Sequence, residues 1–468
     1  MFVEQIYTNC LAEAAYYIES DGEAAIIDPL RETEPYIVKA KERNAKIKFV
    51  FETHFHADFV SGHLDLARKT GAAIVFGPEA KTNYKIYEGK DGEIFSIGKI
   101  KIKLLHTPGH TFESSTYLLI DENGKNHSIF TGDTLFIGDV GRPDLAIGNG
   151  LTENDLAGML YESLHKKILP LEDEIIVYPA HGAGSSCGKN MSKETFDTLG
   201  HQKKFNYALQ KMTKEEFVAK VTDGIAPPPQ YFFKDAMINK NGYDSLEEVM
   251  KKSLNPLSIA DFENEMKKGT LILDTRHQQI FNKGFIPSSI NMGLGGMFAI
   301  WVGTLIENTN QPILLVTENG KEEESVMRLA RVGYDNVIGF SDGGFETWKN
   351  SGREISTITS ISAQEFANKH QTSDIGHRTI LDVRKPDEYN TNHLKNAENF
   401  PLDYIWNNLD KLNKNENYYL HCRSGYRSMI ASSILKKNGF NNLIEIAGGF
   451  EAIKNTGLPM VSPKESVL

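Results

Sequence analysis

Short apolar runs recur through the first half of the chain, and each stops at a turn signal or a chemically reactive residue. Ala24 to Ile27 runs into Asp28-Pro29, and Ala72 to Phe76 into Gly77-Pro78. Ile47 to Phe51 leads to Thr53-His54, and Ile100 to Leu105 leads to Thr107-Pro108. Runs of this length, bounded by Gly, Pro or Asp, predict strands. Between them, Ser61 to Thr70 and Leu156 to Lys167 carry helical patterns. Strands interleaved with helices predict two sheets covered by helices, an α/β architecture. After Gly224 comes Ala226-Pro227-Pro228-Pro229, which cannot continue a helix. That tract reads either as a stiff linker or as a loop inside the first domain.

The second half of the chain is duplicated. Leu257-Ser258-Ile259-Ala260-Asp261-Phe262 parallels Ile361-Ser362-Ala363-Gln364-Glu365-Phe366, and each serine is a helix N-cap candidate. Leu271-Ile272-Leu273-Asp274-Thr275-Arg276 parallels Thr379-Ile380-Leu381-Asp382-Val383-Arg384. Asp342-Gly343-Gly344-Phe345 parallels Ala447-Gly448-Gly449-Phe450, and Thr317 precedes Gly343 by the same spacing as Cys422 precedes Gly448. In each copy a buried strand leads to a loop and then a helix, the pattern of a parallel sheet with crossovers. The reading is a multidomain α/β chain with domains at 1–245, 256–355 and 358–468, the last two of about 100 residues each.

Composition narrows the function classes. The chain has 468 residues, 40% hydrophobic and 24% charged, an ordinary globular balance. A formal net charge of −11 argues against nucleic-acid binding, which needs a basic face. No apolar run is long enough to cross a bilayer, so no membrane association is expected. Met1-Phe2-Val3-Glu4-Gln5 lacks the basic start and apolar core of a signal peptide. The three cysteines, Cys10, Cys187 and Cys422, are too few and too scattered for a disulfide framework. A cytoplasmic protein is expected.

Four segments of the first half carry metal-ligand residues. They are Thr53-His54-Phe55-His56-Ala57-Asp58-Phe59, Thr107-Pro108-Gly109-His110, Phe130-Thr131-Gly132-Asp133 and Tyr178-Pro179-Ala180-His181. Each follows an apolar run, so the strands would deliver imidazole and carboxylate groups to one rim. Together they resemble the metallo-β-lactamase superfamily, which implies an αββα sandwich. Dinuclear hydrolases of that superfamily carry a histidine directly after the aspartate of His-x-His-x-Asp; here Phe59 stands there, so one metal per chain is expected. The segment from Phe130 to Phe136 through Gly141-Arg142-Pro143-Asp144 resembles the persulfide dioxygenase subgroup. That resemblance implies Fe(II) held by His54, His110 and Asp133, a face of two histidines and one carboxylate, with Zn as the alternative metal. His56, Asp58 and His181 are then second-layer groups or remnants of a second metal site. Arg142 is a candidate cation for an anionic carrier or else one half of a salt bridge, and Cys187 is a candidate thiol at the pocket rim. His106 reads as a turn or second-layer residue, His127 as solvated surface and Cys10 as structural.

In the last domain, Tyr418-Tyr419-Leu420-His421-Cys422-Arg423-Ser424-Gly425-Tyr426-Arg427-Ser428 places a strand, a tight loop and a helix start around one cysteine. Loop amides, the helix N-terminus, Arg423 and Arg427 all favour a nucleophilic thiolate. This resembles the rhodanese active-site loop, with Cys422 as nucleophile and Arg423 and Arg427 as anion-binding groups. The earlier copy has Thr317 at the nucleophile position and Glu322 where Arg427 stands, so it resembles a rhodanese-like domain without the chemistry.

The resemblances together imply oxidation of a low-molecular-weight thiol persulfide by O2 to sulfite and thiol, coupled to sulfane-sulfur transfer through Cys422 that forms or consumes thiosulfate. Glutathione, coenzyme A or another small thiol would be the carrier, and a homo-oligomer is compatible with the sequence. Two alternatives stand beside this. One is a glyoxalase II-like thioesterase fused to a sulfurtransferase; the other is a sulfur carrier or sensor without turnover.

Overall fold

The computed structural model describes residues 1–146, 151–225, 227–229, 231–371 and 378–462. Ala226 of the proline tract and the last residues of the expected 358–468 domain lie outside them. The chain divides into two compact units, Met1–Val249 with Leu329–Tyr334, and Met250–Arg328 with Asp335–Leu468. No helix among the described residues is long and apolar enough to cross a membrane.

In the first unit, β1 (Phe2–Thr8), β2 (Glu13–Ser20), β3 (Glu23–Ile27), β4 (Lys46–Phe51), β5 (Ala73–Phe76) and β6 (Tyr87–Glu88) lie side by side in that order. β1 to β3 are antiparallel, and β3 to β6 run parallel. The second sheet holds β7 (Ile94–Ile97), β8 (Ile100–His106), β9 (Ser115–Ile120), β10 (Asn126–Gly132), β11 (Ile176–Pro179) and β12 (Asp197–Thr198), also in sequential order. It is antiparallel except for β10 beside β11.

Strand alternation decides the layers. Ala14, Tyr16 and Ile18 of β2 pack between the sheets with Phe51, Val75, Ile102, Tyr117 and Phe130. Ala15 and Tyr17, the intervening residues, pack outward with Tyr36, Ala40 and Leu66 of the covering helices. Both faces of β2 are therefore apolar, which is why its sequence shows no alternation. Outside the second sheet, Leu118 and Ile129 meet Ala157, Leu160 and Phe217. The result is the expected αββα sandwich.

Helix ends moved from the predicted positions for local reasons. Ser61 lies ahead of the helix His63–Thr70 because its hydroxyl donates to Glu52 Oε1 at 2.6 Å. The helix predicted from Leu156 starts earlier, at Glu153, where Thr152 and Asp155 form a capping box. It ends at Ser163 and passes into a π-helical turn, Leu164–Ile168. The described prolines Pro227–Pro229 are followed by the helix Phe232–Asn241, which stays in the first unit.

The second unit contains the two repeats. The first has β13 (Pro256–Leu257), β14 (Leu271–Asp274), β15 (Ile290–Asn291), β16 (Ile313–Val316) and β17 (Val337–Ser341), ordered β13-β17-β16-β14-β15. The second has β18 (Thr359–Ser362), β19 (Arg378–Asp382), β20 (His393–Leu394), β21 (Ala397–Asn399), β22 (Asn417–His421), β23 (Leu443–Ala447) and β24 (Met460–Val461). Its sheet is β18-β23-β22-β19-β21, the same order, and β20 pairs with β24 apart. Both main sheets are parallel throughout.

The same buried ion pair closes both repeats. Arg276 Nε and Nη2 donate to Asp274 at 2.9 and 2.6 Å, and Nη2 also donates to Gly284 O. Arg384 repeats this on Asp382 at 2.9 and 2.6 Å, with Asn392 O as the further acceptor. Each guanidinium lies over a ring, Phe345 or Phe450. Removing one arginine strands a buried carboxylate. Arg276→Ala and Arg384→Ala should each cost about 3–5 kcal/mol, with similar losses in the two repeats by chemical denaturation. A large cost in the second repeat alone would show that the pair is not a shared structural device.

Candidate functional site

The metal-type residues sit at strand ends on one rim of the sandwich. β3 and β4 run parallel and end level, Ile27 beside Phe51. Asp28 therefore lies opposite Thr53, whose amide and hydroxyl both donate to its carboxylate, at 2.7 and 2.8 Å. The Thr53 oxygen can then accept from His54 Nδ1, 3.0 Å away. His110 Nδ1 lies 2.8 Å from Arg142 O, and His181 Nδ1 lies 3.2 Å from Ala12 O. With an acceptor at every Nδ1, each of the three rings keeps its Nε2 lone pair for the centre.

Those three Nε2 atoms surround Asp133. His110 and His54 lie 3.3 and 3.9 Å from Oδ2, and His181 lies 3.6 Å from Oδ1. Asp133 is buried, and neither of its oxygens has a hydrogen-bond partner. Burial and the neighbouring imidazoles hold His54 well below the usual histidine range, so its ring is neutral. The ligand atoms of His54, His110 and Asp133 lie within 4.8 Å of one another. Orphaned carboxylate oxygens facing imidazole lone pairs suit a cation.

Two glycines allow this convergence. Gly109, at φ +146°, passes so close to Leu160 that a Cβ would come within 2.4 Å of its Cα. Gly132, at φ +52°, would meet the Thr53 hydroxyl at 2.5 Å.

His56 behaves differently from the other imidazoles. Its Nε2 lies 3.1 Å from Asp28 Oδ1 and 3.7 Å from Glu52 Oε2. Burial alone would lower its pKa, but Asp28 and Glu52 raise it to about 10. Its ring stacks on the buried Phe59 ring, with centroids 4.4 Å apart, and its ligand atom lies within 4.8 Å of those of Asp58 and His181. Asp58 and His181 stand 3.5 Å apart on the other side of Asp133. Cys187 is buried next to them, its sulfur within 4.8 Å of ligand atoms of Asp133 and His181. Burial and the carboxylates of Asp58 and Asp133 push its thiol well up. It therefore lies in the centre, not at the rim.

Arg142 is buried, and its guanidinium grips Asp144 at 2.6 and 2.7 Å, the salt-bridge alternative of the sequence reading. Its backbone carbonyl, as the acceptor for His110, is the part that reaches the centre. His106 Nε2 contacts Phe112 O across its turn. His127 is half-buried on β10, so it is not the exposed loop residue expected. Cys10 is half-buried and receives a contact from Arg331. A cleft of about 510 Å³ opens over His110, walled by Phe55, Phe112, Phe232 and Met237, with Lys81 and Lys240 along it.

In the second repeat, Cys422 follows β22 and is buried. The Gly425 amide donates to its sulfur at 3.1 Å, and Ser428 Oγ lies 3.6 Å away. Arg427 forms a paired contact with Glu388 at 2.6 and 2.8 Å. Arg423 is exposed and lies 3.5 Å from Glu451. Both arginines thus have a carboxylate neighbour, a feature invisible in the loop sequence. In the first repeat, Thr317 and Glu322 stand where Cys422 and Arg427 stand in the second, and Thr317 Oγ1 donates to Glu322 at 3.0 Å.

Sequence reasoning missed Asn239. Its Nδ2 donates to both His56 O and Phe59 O at 2.8 Å, and its Oδ1 accepts from Ser61 N at 2.9 Å. It stands on the helix Phe232–Asn241, far along the chain, and no local motif marks it. Asn239→Ala leaves buried backbone groups unpaired. It should cost about 2–4 kcal/mol of stability and lower metal occupancy, read by thermal unfolding and elemental analysis. Unchanged occupancy in a folded variant would mean the loop holds its shape without Asn239.

The model of the metallo-beta-lactamase superfamily matches residues 8–181, and the rhodanese-like domain model matches 258–351 and 362–456. A probable hydroxyacylglutathione hydrolase of Schizosaccharomyces pombe is 30% identical over 206 residues, 39% of this chain and 75% of the relative. The human mitochondrial persulfide dioxygenase is 30% identical over 211 residues, 44% of this chain and 74% of the relative. The crystal structure of a metallo-beta-lactamase from Staphylococcus aureus is 31% identical, with a TM-score of 0.63 over 73% of this chain and 98% of that one.

Proposed function

Because this chain belongs to the metallo-beta-lactamase superfamily through its N-terminal half and continues into two rhodanese-like domains, we propose that it oxidises a small thiol persulfide and transfers sulfane sulfur. The reading takes one Fe(II) at His54, His110 and Asp133. The observation that carries it is the buried Asp133, whose unpartnered oxygen Oδ2 faces the Nε2 atoms of His54 and His110. Two imidazoles and one carboxylate leave open positions, as oxygen-using iron centres require. The position after Asp58, where a further histidine ligand for a second metal would stand, is Phe59.

When bound, iron would supply the chemistry by which O2 adds to a persulfide sulfur. The chain's own residues hold and select. Thr53 and the Arg142 carbonyl fix the tautomers of His54 and His110. The apolar walls of the cleft over His110 exclude water, and Lys81 and Lys240 suit an anionic carrier such as glutathione or coenzyme A. In the overall change, persulfide, O2 and water give thiol, sulfite and two protons. At Cys422, the thiolate attacks the outer sulfur of a second persulfide and the carrier thiolate leaves. Sulfite then attacks the sulfur held on Cys422, forming thiosulfate and restoring the thiolate. The same steps in reverse consume thiosulfate.

A second reading, a metal-assisted thioester hydrolase, is favoured by the likeness to the hydroxyacylglutathione hydrolase. Metal content separates the two. Anaerobically purified protein should hold one iron per chain, lost in His54→Ala, His110→Ala and Asp133→Ala together with persulfide-dependent O2 uptake. Two zinc ions per chain without O2 uptake would sink the dioxygenase reading and leave the hydrolase.

Product identity tests the coupling. Cys422→Ser should still consume O2 with a thiol persulfide, but release sulfite where the wild type releases mostly thiosulfate. Identical product mixtures after complete turnover would remove the coupled mechanism.

A further inference from the structure

Tyr426 opens the helix that follows the Cys422 loop, yet its side chain is seated on the other repeat. Its hydroxyl donates to Gly293 O at 2.8 Å. Its ring lies so close to Gly296 that a Cβ there would come within 2.4 Å of Cζ. The same face of the helix Tyr426–Lys437 continues onto the first repeat. Met429 is buried with Phe281 and Phe285, and Ser433 Oγ accepts the Asn291 amide at 3.0 Å. Tyr426, Met429 and Ser433 are spaced to share one helix face.

The other side of the helix start belongs to the second repeat itself. Ser428 donates to Glu445 at 2.9 Å, and Arg427 pairs with Glu388. Between these two sets of contacts lies Gly425, at φ +102°, whose amide donates to Cys422 Sγ. Tyr426 is its next residue, so the seat of the tyrosine sets where that amide and the helix N-terminus point. A shift of a fraction of an ångström would misdirect donors at the sulfur.

Resting on the reading of Cys422 as the sulfur-transferring thiol, we propose that the chemically silent repeat is a positioning element for the active one. Tyr426, seated on Gly293 and Gly296, holds the Gly425 amide and the helix N-terminus on Cys422. The repeat has Thr317 and Glu322 in place of a thiol and an arginine, and its Gly293 and Gly296 admit the tyrosine.

The test compares full-length wild type with Tyr426→Phe and Gly296→Ala. Alkylation of the Cys422 peptide is followed by mass spectrometry with iodoacetate and with iodoacetamide, beside kcat and KM for sulfur transfer. An intact anion nest favours the anionic reagent. Both variants should lower the iodoacetate-to-iodoacetamide rate ratio and reduce kcat/KM by about tenfold, while O2 uptake by the first unit stays at the wild-type level. If Gly296→Ala does not fold, Tyr426→Phe, which removes one hydroxyl and no ring, decides alone. An unchanged rate ratio in folded Tyr426→Phe, with or without slower transfer, overturns the proposal. Sulfur transfer that survives Cys422→Ser would overturn the Cys422 reading instead.

Discussion

A carboxylate sealed from water with nothing donating to it is unstable unless a cation sits against it. Asp133 is in that state, and the rim of the sandwich is arranged around it. Three imidazoles from three other strand ends turn Nε2 toward its two oxygens. Each is oriented by an acceptor at Nδ1: the Thr53 hydroxyl, the Arg142 carbonyl and the Ala12 carbonyl. The buried Asp28 in turn holds Thr53 through its amide and hydroxyl.

Charge is divided unevenly across this rim. His56 lies against the carboxylates of Asp28 and Glu52 and stacks on Phe59, with a ligand atom also within 4.8 Å of those of Asp58 and His181, whereas His54 is kept neutral. Two histidines two positions apart thus have different surroundings. On the far side of Asp133, the soft donor Cys187 lies with His181 and Asp58, so the two oxygens of one carboxylate face chemically different neighbours.

The second unit separates frame from chemistry. The Asp–Arg pair, the sheet order and the double-glycine turn persist in both repeats. Thr317 and Glu322 stand in the first where Cys422 and Arg427 stand in the second. A fold keeps the residues that prevent a buried unpaired charge, because their loss costs stability at once, whereas a nucleophile can be lost without unfolding anything.

The two helix-covered sheets, the duplication, the ligand-type residues after strands and the contrast between Cys422 and Thr317 are all legible in the order of residues. Those features are local: apolar periodicity, a turn residue, a ligand directly after a strand. The tautomers, the pairing of His56 with Asp28, the salt bridge that occupies Arg142 and the burial of Cys187 beside Asp133 arise only on folding. So do the bonds from Asn239 to the His56 and Phe59 carbonyls and the seating of Tyr426 on Gly293 and Gly296. Each of these joins residues distant in the chain whose side chains could find several partners. Which partner is met depends on how strands align and how closely glycines let backbones approach, and no local pattern of residues encodes that distance.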